Sequence, residues 1–312
     1  MPRNKTIDLS LADGQAELAR CLRINARVSS EAVTDRTILG DCFEVLPLLP
    51  EGLADLVIAD PPYNLSRDFG GTHFEARSEA AYRAWCLDWL RPLRRCMRPG
   101  ASVYVCCDWR SSGAVAAALE ELFTVRNRIT WQREKGRGAA RNWKNSMEDI
   151  WFATLGDGYY FDLDAVKLRR RVIAPYRSGG VPKDWERDGD GTPWRLTCPG
   201  NFWDDLTVPF WSMAENTAHP TQKPEKLLAR LILASCPPGG LVLDPFLGSG
   251  SSSVAAKKLG RHYVGIEQNP QYCVWAERRL ALADTDKRIQ GYEDGVFWER
   301  NSGKKNINIR RK

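Results

Sequence analysis

The sequence predicts a doubly wound α/β protein with a mostly parallel sheet and helices on both faces. Short apolar strands alternate with helical segments along most of the 312 residues, which is the pattern that crossover connections between parallel strands produce. Two of the strands end in polar motifs, Asp60–Tyr63 and Asp244–Gly250. Ligands of open α/β sheets bind outside the carboxyl ends of strands, so we expect the chemistry of this protein there.

The first motif reads Asp-Pro-Pro-Tyr and follows the apolar run Leu53–Ala59. The run predicts a buried strand, and the prolines end it because proline has no N–H to donate to a ladder. This grouping suits an exocyclic amino group on a flat base. Asp60 and the Pro61 carbonyl accept its N–H bonds, while Tyr63 stacks on its ring. The alternative is a rigid strand-to-loop turn in which Pro62 and its neighbours serve only the backbone.

The second motif is a glycine loop between a strand and a helix. Leu241–Asp244 predicts the strand, and Ser251–Leu259 predicts the helix. Glycines let a ligand approach the backbone closely. The next strand, Tyr263–Glu267, ends in an acid that can accept hydrogen bonds from both hydroxyls of a ribose. Strand, glycines, helix, strand and acid in this order predict a nucleoside-binding βαβ unit.

Together the motifs resemble the β class of S-adenosylmethionine-dependent DNA amino-methyltransferases, which is common among bacterial restriction–modification enzymes. In that class the catalytic motif precedes the cofactor motif, as it does here. Leu39–Cys42, Asn64–Ser66 and His219–Pro224 also match, and the resemblance covers roughly residues 37–283. It implies the seven-stranded, mostly parallel methyltransferase sheet with an inserted basic DNA-recognition lobe.

The resemblance also implies which residues bind S-adenosyl-L-methionine. In the family an acid such as Asp41 accepts from the adenine amino group, and Thr221 and Lys223 resemble residues that hold the methionine carboxylate. The implied set is Asp41, Cys42, Thr221, Lys223, Asp244, Phe246, Gly248, Ser249, Gly250 and Glu267. Two alternatives stay open, a turn-forming role for Asp41 and a helix N-cap for Thr221.

The region between Arg126 and Arg195 is rich in arginine and lysine, with tryptophan and tyrosine interleaved. Cationic side chains neutralise phosphates, and flat side chains stack on bases or wedge into duplexes. This pattern predicts contact with double-stranded DNA. The predicted DNA-binding residues are Arg133, Lys135, Arg137, Arg141 and Lys144. The alternative is a solvated basic surface above buried aromatic side chains.

On this interpretation the chain divides into segments. Residues 1–36 form an N-terminal arm with one helical piece, 9–25. Residues 37–132 and 217–283 form the methyltransferase core, with the catalytic half first and the cofactor half last. Residues 133–216 form the target-recognition region, and residues 284–312 form a C-terminal extension.

Composition disfavours several classes of protein. The nine cysteines are an odd number without repeated spacing, so we expect reduced thiols and no disulfide framework. With three histidines and no CxxC or HExxH motif, the sequence predicts no metal site. No apolar stretch approaches the ~18 residues that span a bilayer, and the first residues do not resemble a signal peptide. We therefore expect a cytoplasmic protein.

The predicted reaction is methyl transfer from S-adenosylmethionine to N6 of a flipped adenine in a specific double-stranded DNA sequence. In the family an aspartate opening the tetrapeptide goes with adenine N6 and a serine with cytosine N4, so N4 transfer is one alternative. A nicotinamide-dependent dehydrogenase is another, but it leaves the DPPY motif unexplained and the loop lacks the third glycine of G-x-G-x-x-G. A non-catalytic DNA-binding protein is the last, although Asp60, Tyr63 and Glu267 are intact.

Two further partners are expected from the resemblance alone. A cognate restriction endonuclease is the functional partner of many such enzymes. Homodimers are frequent in the family, so a homodimer is the expected assembly.

Overall fold

The computed structural model describes residues 4–69, 72–133, 140–172, 177–182, 184–187, 189 and 191–299. The helices are α1 (Gln15–Leu18), α2 (Ser30–Val33), α3 (Cys42–Val45), α4 (Glu79–Cys96), α5 (Ser112–Leu122), α6 (Glu225–Ser235), α7 (Ser251–Lys258) and α8 (Pro270–Leu282). The strands are β1 (Arg36–Leu39), β2 (Ala54–Ala59), β3 (Arg67–Phe69), β4 (Thr72–Phe74), β5 (Met97–Cys107), β6 (Thr124–Gln132), β7 (Met147–Thr154), β8 (Leu168–Arg171), β9 (Arg177–Ser178), β10 (Val181–Pro182), β11 (Glu186–Arg187), β12 (Pro193–Thr197), β13 (Phe202–Trp203), β14 (Leu241–Asp244), β15 (His262–Glu267), β16 (Tyr292–Glu293) and β17 (Val296–Trp298). Within the described ranges, none of these helices combines the length and apolarity needed to cross a membrane.

The central sheet has eight strands in the order β1-β15-β14-β2-β5-β7-β6-β13. The first five are mutually parallel, and β7 is antiparallel to both of its neighbours. The doubly wound, mostly parallel prediction is therefore confirmed. The two-residue strand β13 pairs in parallel with β6 and adds an eighth strand to the predicted seven.

Helices cover the two faces of this sheet because successive side chains of each strand point to opposite sides. In β2, Val57 packs in the core cluster that includes residues of α4 and α5. Its neighbours Leu56 and Ile58 pack in the other cluster, with residues of α6 and α7. All three side chains are at most 2% exposed. Such burial on both faces explains the continuous apolar run that the sequence shows here.

Strands β2 and β14, which precede the two sequence motifs, are neighbours in the sheet. Leu56 pairs with Val242 and Val57 with Leu243 in a parallel ladder. Parallel pairing brings their carboxyl ends to the same edge, so Asp60 and Asp244 emerge side by side. The two halves of the core, which are far apart in sequence, thus meet at one place.

The N-terminus of α6 is not capped by Thr221, which was the alternative role for that residue. The N-cap interpretation of Thr221 is wrong, because α6 begins at Glu225, directly after Pro224. Proline offers no side-chain oxygen for capping. The backbone N–H of Glu225 donates instead to the Glu215 carboxylate at 2.7 Å.

The N-terminal arm packs along the core, and the helical piece predicted for residues 9–25 is wrong because only α1 is α-helical there. The Leu9 carbonyl accepts hydrogen bonds from Gln271 Nε2 at 2.8 Å and Trp275 Nε1 at 2.9 Å, both on α8. Leu22 forms a bridge with Ile38 of β1. Backbone groups that bond the core in this way are not available to a longer helix.

A second sheet joins two distant parts of the chain, in the order β11-β12-β8-β17-β16. Strands β8, β11 and β12 come from residues 133–216, whereas β16 and β17 come from residues 284–312, and β17 pairs in parallel with β8. Strand β7 also lies within residues 133–216, yet it belongs to the central sheet. Lys226 of α6 donates to the Trp298 carbonyl and so ties the second sheet to the core.

We predict that Gly250→Ala destabilises the protein more than Gly260→Ala does. Both glycines have left-handed backbones, with φ of +86° and +70°, so alanine strains both by roughly 1–2 kcal/mol. At Gly250 the new Cβ also lies 2.8 Å from the Ala276 Cβ, whereas at Gly260 none of the described residues comes within 4 Å. Overpacking adds about 1–3 kcal/mol. Urea unfolding measures both variants, and equal losses would contradict this account.

Candidate active site

A cavity of about 370 Å³ opens at the carboxyl ends of β2 and β14. Its lining includes all four residues of the DPPY motif, Asp60–Tyr63. It also includes nine of the ten residues assigned to the cofactor: Asp41, Cys42, Thr221, Lys223, Asp244, Phe246, Gly248, Ser249 and Glu267. The tenth, Gly250, packs against Ala276 of α8. The structure therefore brings the two predicted motifs together in one continuous space.

Glu267 anchors the glycine loop from the end of β15. Its Oε2 accepts from the Gly248 N–H at 2.8 Å, and its Oε1 accepts from the Asn269 N–H at 2.7 Å. The backbone N–H of Gln268 also bonds to this carboxylate. A carboxylate has about four lone-pair sites, so acceptor capacity remains for a ligand hydroxyl. Burial raises the pKa of Glu267 to about 7, against the opposing effect of three backbone donors, the N–H groups of Asn269, Gly248 and Gln268.

Asp244 bonds to the same glycine loop from the end of β14. Its carboxylate accepts from the Phe246 N–H at 2.9 Å and from the Ser252 hydroxyl. Burial raises the pKa of Asp244 to about 7. Because these bonds run to the loop's own backbone and helix, the contribution of Asp244 is chiefly to hold the loop's shape.

An aromatic wall faces the loop, and sequence analysis assigned only Phe246 of it. The Phe246 ring lies edge-on to Trp89 at 5.1 Å and tilted to Trp85 at 6.3 Å. Trp85 stacks on Tyr82 at 5.4 Å and meets Phe74 at 5.2 Å. Phe74, Trp85 and Phe246 line the cavity, so they offer flat apolar surface to a ring-bearing ligand. Helical spacing in α4 was the available signal for Tyr82, Trp85 and Trp89.

Asp41 and Cys42 lie at the start of α3. Asp41 is the N-cap of that helix and accepts from the Phe43 N–H at 3.0 Å. The turn-forming alternative is therefore present, and it coexists with a place on the cavity wall. Burial raises the pKa of the Cys42 thiol, so it is a neutral group that packs and does not react.

At the catalytic end, Asp60 is held by two donors. The Tyr63 hydroxyl donates to Asp60 Oδ1 at 3.0 Å, and Lys223 Nζ donates to Oδ2 at 2.6 Å. The Tyr82 hydroxyl fixes the motif from behind by donating to the Pro62 carbonyl at 2.9 Å. Asp60 is thus oriented by Tyr63 and Lys223, and α4 holds the motif through Tyr82, before any ligand binds.

Lys223 was assigned to the methionine carboxylate, and the structure places its ammonium on the catalytic acid. Its side chain is 8% exposed. Burial alone lowers the pKa of Lys223, but the charges of Asp60 and Glu148 outweigh burial and hold that pKa above its usual value. Lys223 is therefore a permanent cation of the catalytic half, and a role at the cofactor stays a prediction.

Glu148 is a cavity residue that sequence analysis missed. It lies in β7, its side chain is 5% exposed, and its Oε2 lies 3.1 Å from the Tyr63 hydroxyl, whose single O–H is shared between Glu148 and Asp60. Its other oxygen accepts from Arg133. The signal was an acidic pair, Glu148-Asp149, in an otherwise apolar strand, since acids are rarely buried unless they are paired.

The predicted DNA-binding residues are placed differently from one another. Arg133 turns inward to Glu148 and lines the cavity. Arg141 and Lys144 are exposed in the segment between β6 and β7, beside Trp143, which is 93% exposed. Lys135 and Arg137 lie outside the described residues. Asn145 lines the cavity, so Lys144, its neighbour in sequence, lies close to it.

Comparison with known proteins decides the family. Residues 54–278 match the family model described as DNA methylase, of the N6/N4 methyltransferase type. This chain belongs to the DNA methylase family. It is 33% identical over 264 residues to the DNA adenine methyltransferase YhdJ of Escherichia coli K12, covering 82% of this chain and 85% of that protein. It is 30% identical over 261 residues to the type II methyltransferase M.HpaI of Haemophilus parainfluenzae, covering 83% and 76%.

Solved structures share the fold at lower identity. The M1.HpyAVI complex with S-adenosylmethionine has a TM-score of 0.52 at 23% identity, with 78% of this chain and 98% of that chain covered. The cytosine-N4-specific PvuII DNA methyltransferase has a TM-score of 0.58 at 19% identity, with 81% and 87% covered. A DNA modification methylase of Thermus thermophilus, complexed with S-adenosyl-L-methionine, has a TM-score of 0.54 at 20% identity, with 86% and 99% covered. Family membership leaves the dehydrogenase hypothesis without support.

We predict that affinity for S-adenosylmethionine rises with pH between 6 and 8. The ionised Glu267 carboxylate accepts hydroxyl hydrogen bonds better than its protonated form, and its pKa of about 7 lies inside this window. The ionised fraction grows about tenfold across it. Calorimetric titration measures the dissociation constant at each pH.

Glu267→Gln provides the control, because glutamine keeps an acceptor for the Gly248 N–H but does not titrate. That variant binds more weakly at pH 8 and loses the rise. Asp244 also has a pKa of about 7, so Asp244→Asn is measured alongside. A rise that persists in Glu267→Gln and disappears in Asp244→Asn contradicts the assignment to Glu267.

Proposed function

We propose that this DNA methylase transfers a methyl group from S-adenosylmethionine to N6 of adenine in a specific double-stranded DNA sequence. One observation carries the proposal: the acid of the DPPY motif and the acid that ends the cofactor βαβ unit line the same cavity. A cavity that holds both an acceptor for an amino group and an acceptor for ribose hydroxyls suits a reaction between a base and a nucleoside cofactor.

The residues present fit S-adenosylmethionine. Glu267 retains acceptor capacity at the strand end beside its three backbone donors, and Gly248, with a left-handed φ of +56°, places no side chain in the loop. Phe246 and Trp85 supply apolar surface for an adenine ring. When bound, the cofactor supplies a methyl group on a sulfonium, which is already electrophilic.

Asp60 prepares the nucleophile. The lone pair of an exocyclic amino group is shared with the ring, so that nitrogen is a poor nucleophile. Hydrogen bonds from its two N–H groups to Asp60 and to the Pro61 carbonyl draw it toward tetrahedral geometry and free the lone pair. Asp60 or water then receives the proton that the nitrogen loses. Holding the amino group in line contributes much of the acceleration.

The target base has to leave the helix to reach Asp60. Asp60 lines the cavity, and its side chain is 23% exposed, whereas the amino group of a paired base lies inside the duplex. Extrusion costs a few kcal/mol. Tyr63 repays part of this cost by stacking on the extruded ring.

Adenine is favoured over cytosine. Asp60 opens the tetrapeptide, as an aspartate does in adenine-specific members of the β class that the sequence resembles. The E. coli relative, which is named a DNA adenine methyltransferase, is 33% identical, whereas the cytosine-N4 enzyme is similar at the level of the fold. The N4 alternative is therefore not favoured.

We further propose that the DNA-facing surface consists of residues 140–146, which precede β7, together with the second sheet. Arg141 and Lys144, both exposed in this segment, neutralise phosphates. The recognition region of residues 133–216 thereby excludes β7 and gains β16 and β17. A cognate endonuclease, a homodimer and a cytoplasmic location stay predictions.

We predict that Asp60→Ala abolishes transfer without loss of cofactor binding. Losing the acceptor removes both orientation and electrostatic stabilisation, so the rate falls by roughly three orders of magnitude. Tritium transfer from labelled S-adenosylmethionine to duplex DNA measures the rate, and mass analysis of nucleosides identifies the product as N6-methyladenine. Asp88→Ala, an exposed acid on α4, is the control and retains full activity.

Two outcomes count against this proposal. Wild-type transfer by Asp60→Ala removes the mechanism. N4-methylcytosine as the sole product removes the assignment to adenine.

We predict that Arg141→Gln with Lys144→Gln weakens DNA binding and flattens its salt dependence. Losing two phosphate contacts lowers the slope of log affinity against log salt by about 2. Fluorescence anisotropy with duplex DNA measures the slope between about 50 and 200 mM salt, a range over which phosphate contacts change the affinity strongly. The double variant Arg83→Gln, Arg91→Gln removes the same charge from α4, where both residues pair with Glu121, and keeps the wild-type slope. An unchanged slope for the first pair places the phosphate contacts elsewhere.

A further inference from the structure

Five side chains form a closed hydrogen-bonded group at the catalytic end of the cavity, which we name the Lys223 cluster: Asp60, Tyr63, Arg133, Glu148 and Lys223. Lys223 Nζ lies 2.6 Å from Asp60 Oδ2 and 3.3 Å from Glu148 Oε2. Two cations and two anions balance one another. The side chains of Lys223 and Glu148 are 8% and 5% exposed. Charges buried this deeply persist only beside counter-charges, so neither of these two can lose its partner unless another charge replaces it.

The Lys223 cluster contains a competition for one carboxylate. On the proposed function Asp60 accepts an N–H from the target amino group, yet Lys223 already donates to its Oδ2 and Tyr63 to its Oδ1. An ammonium and an amino nitrogen that bond the same carboxylate crowd each other in a narrow space. The ammonium also draws negative charge away from Asp60 and weakens it as an acceptor. Each Asp60 oxygen keeps a second lone pair, but the ammonium lies within hydrogen-bonding distance of Oδ2, so we expect Lys223 to withdraw when a base inserts.

Glu148 is the acceptor to which Lys223 can withdraw. Its Oε2 is already within 3.3 Å of Lys223 Nζ, and the flexible lysine stem allows a short shift. Arg133 donates to the other oxygen and fixes the carboxylate in place. Because Glu148 is 5% exposed at its side chain, water does not screen its charge. The ammonium thus keeps a full counter-charge throughout.

We propose that Glu148 is a positioning residue, which takes the ammonium of Lys223 from Asp60 as the target base inserts. The proposal rests on the proposed function, since it concerns how Asp60 becomes free to accept the amino group. Lys223 is then a stand-in for that amino group in the protein without DNA. Arg133, predicted as a phosphate contact, acts instead as the anchor of Glu148.

Four variants test this role in single-turnover methyl transfer to duplex DNA: Glu148→Gln, Lys223→Met, the double variant and Glu277→Gln. Glu148→Gln leaves Lys223 on Asp60, so we expect the rate to fall about 100-fold with cofactor affinity unchanged. Adding Lys223→Met removes the competitor, so the double variant transfers at least about tenfold faster than Glu148→Gln alone. Glu277 is a buried acid of α8 outside the cavity lining, and its change to glutamine leaves the rate unaltered.

A double variant that is no faster than Glu148→Gln overturns the proposal. If both residues were merely structural, the losses of rate caused by the two substitutions would add. Base insertion gives a second readout, with 2-aminopurine at the target position once sequencing of methylated DNA has located it. Lys223→Met raises the fluorescence on binding and Glu148→Gln lowers it.

Circular dichroism shows whether each variant is folded, so a loss of activity through unfolding can be told apart from a loss that bears on the proposal. If Glu148→Gln does not fold, the fluorescence of Lys223→Met decides, and a signal below that of the wild type overturns the proposal. A wild-type protein that transfers no methyl group refutes the proposed function itself. An active wild type with accumulating losses refutes only the role of Glu148.

Discussion

The parallel pairing of β2 with β14 is the constraint on which the site depends. It aligns Val57 with Leu243 and so sets the DPPY acid beside the glycine loop. A slip of one residue would turn every side chain of the strand to the other face. Asp55 fixes the register at the far end, because its carboxylate accepts from the Leu241 N–H at 2.8 Å and pairs with Arg98 at 2.8 Å.

The cavity stabilises its buried acids in two ways. Asp244 and Glu267 accept from backbone N–H groups and a serine hydroxyl, and burial raises the pKa of each to about 7. Asp60 and Glu148 are neutralised by Lys223 and Arg133 instead. The cofactor half therefore gains negative charge readily beside a positively charged ligand, whereas the catalytic half already has its charges balanced within the protein.

The sequence predicted well those features that depend on residues adjacent in the chain. Strand followed by DPPY, and strand followed by glycine loop, helix and acid, are local patterns, and the structure puts both at one edge of the confirmed fold. Glu148 and the inward turn of Arg133 were missed, because their roles depend on β7 lying beside β5 in the sheet. The wrong helix at residues 9–25 has the same origin, since side chains of α8 take up the Leu9 carbonyl.

The second sheet is discontinuous in sequence. Strand β8 lies against β17, whose Phe297 is fully buried under the guanidinium of Arg230 at 4.9 Å. The whole cofactor half of the core lies between these two strands in the chain. If the second sheet carries the sequence specificity, as proposed, an exchange of specificity between homologous enzymes would have to transplant two separate pieces together. A graft limited to the first piece would pair a foreign β8 with the host's Phe297 and Trp298. The pairing of β8 with β17, in the middle of the second sheet, would then join strands from two different proteins.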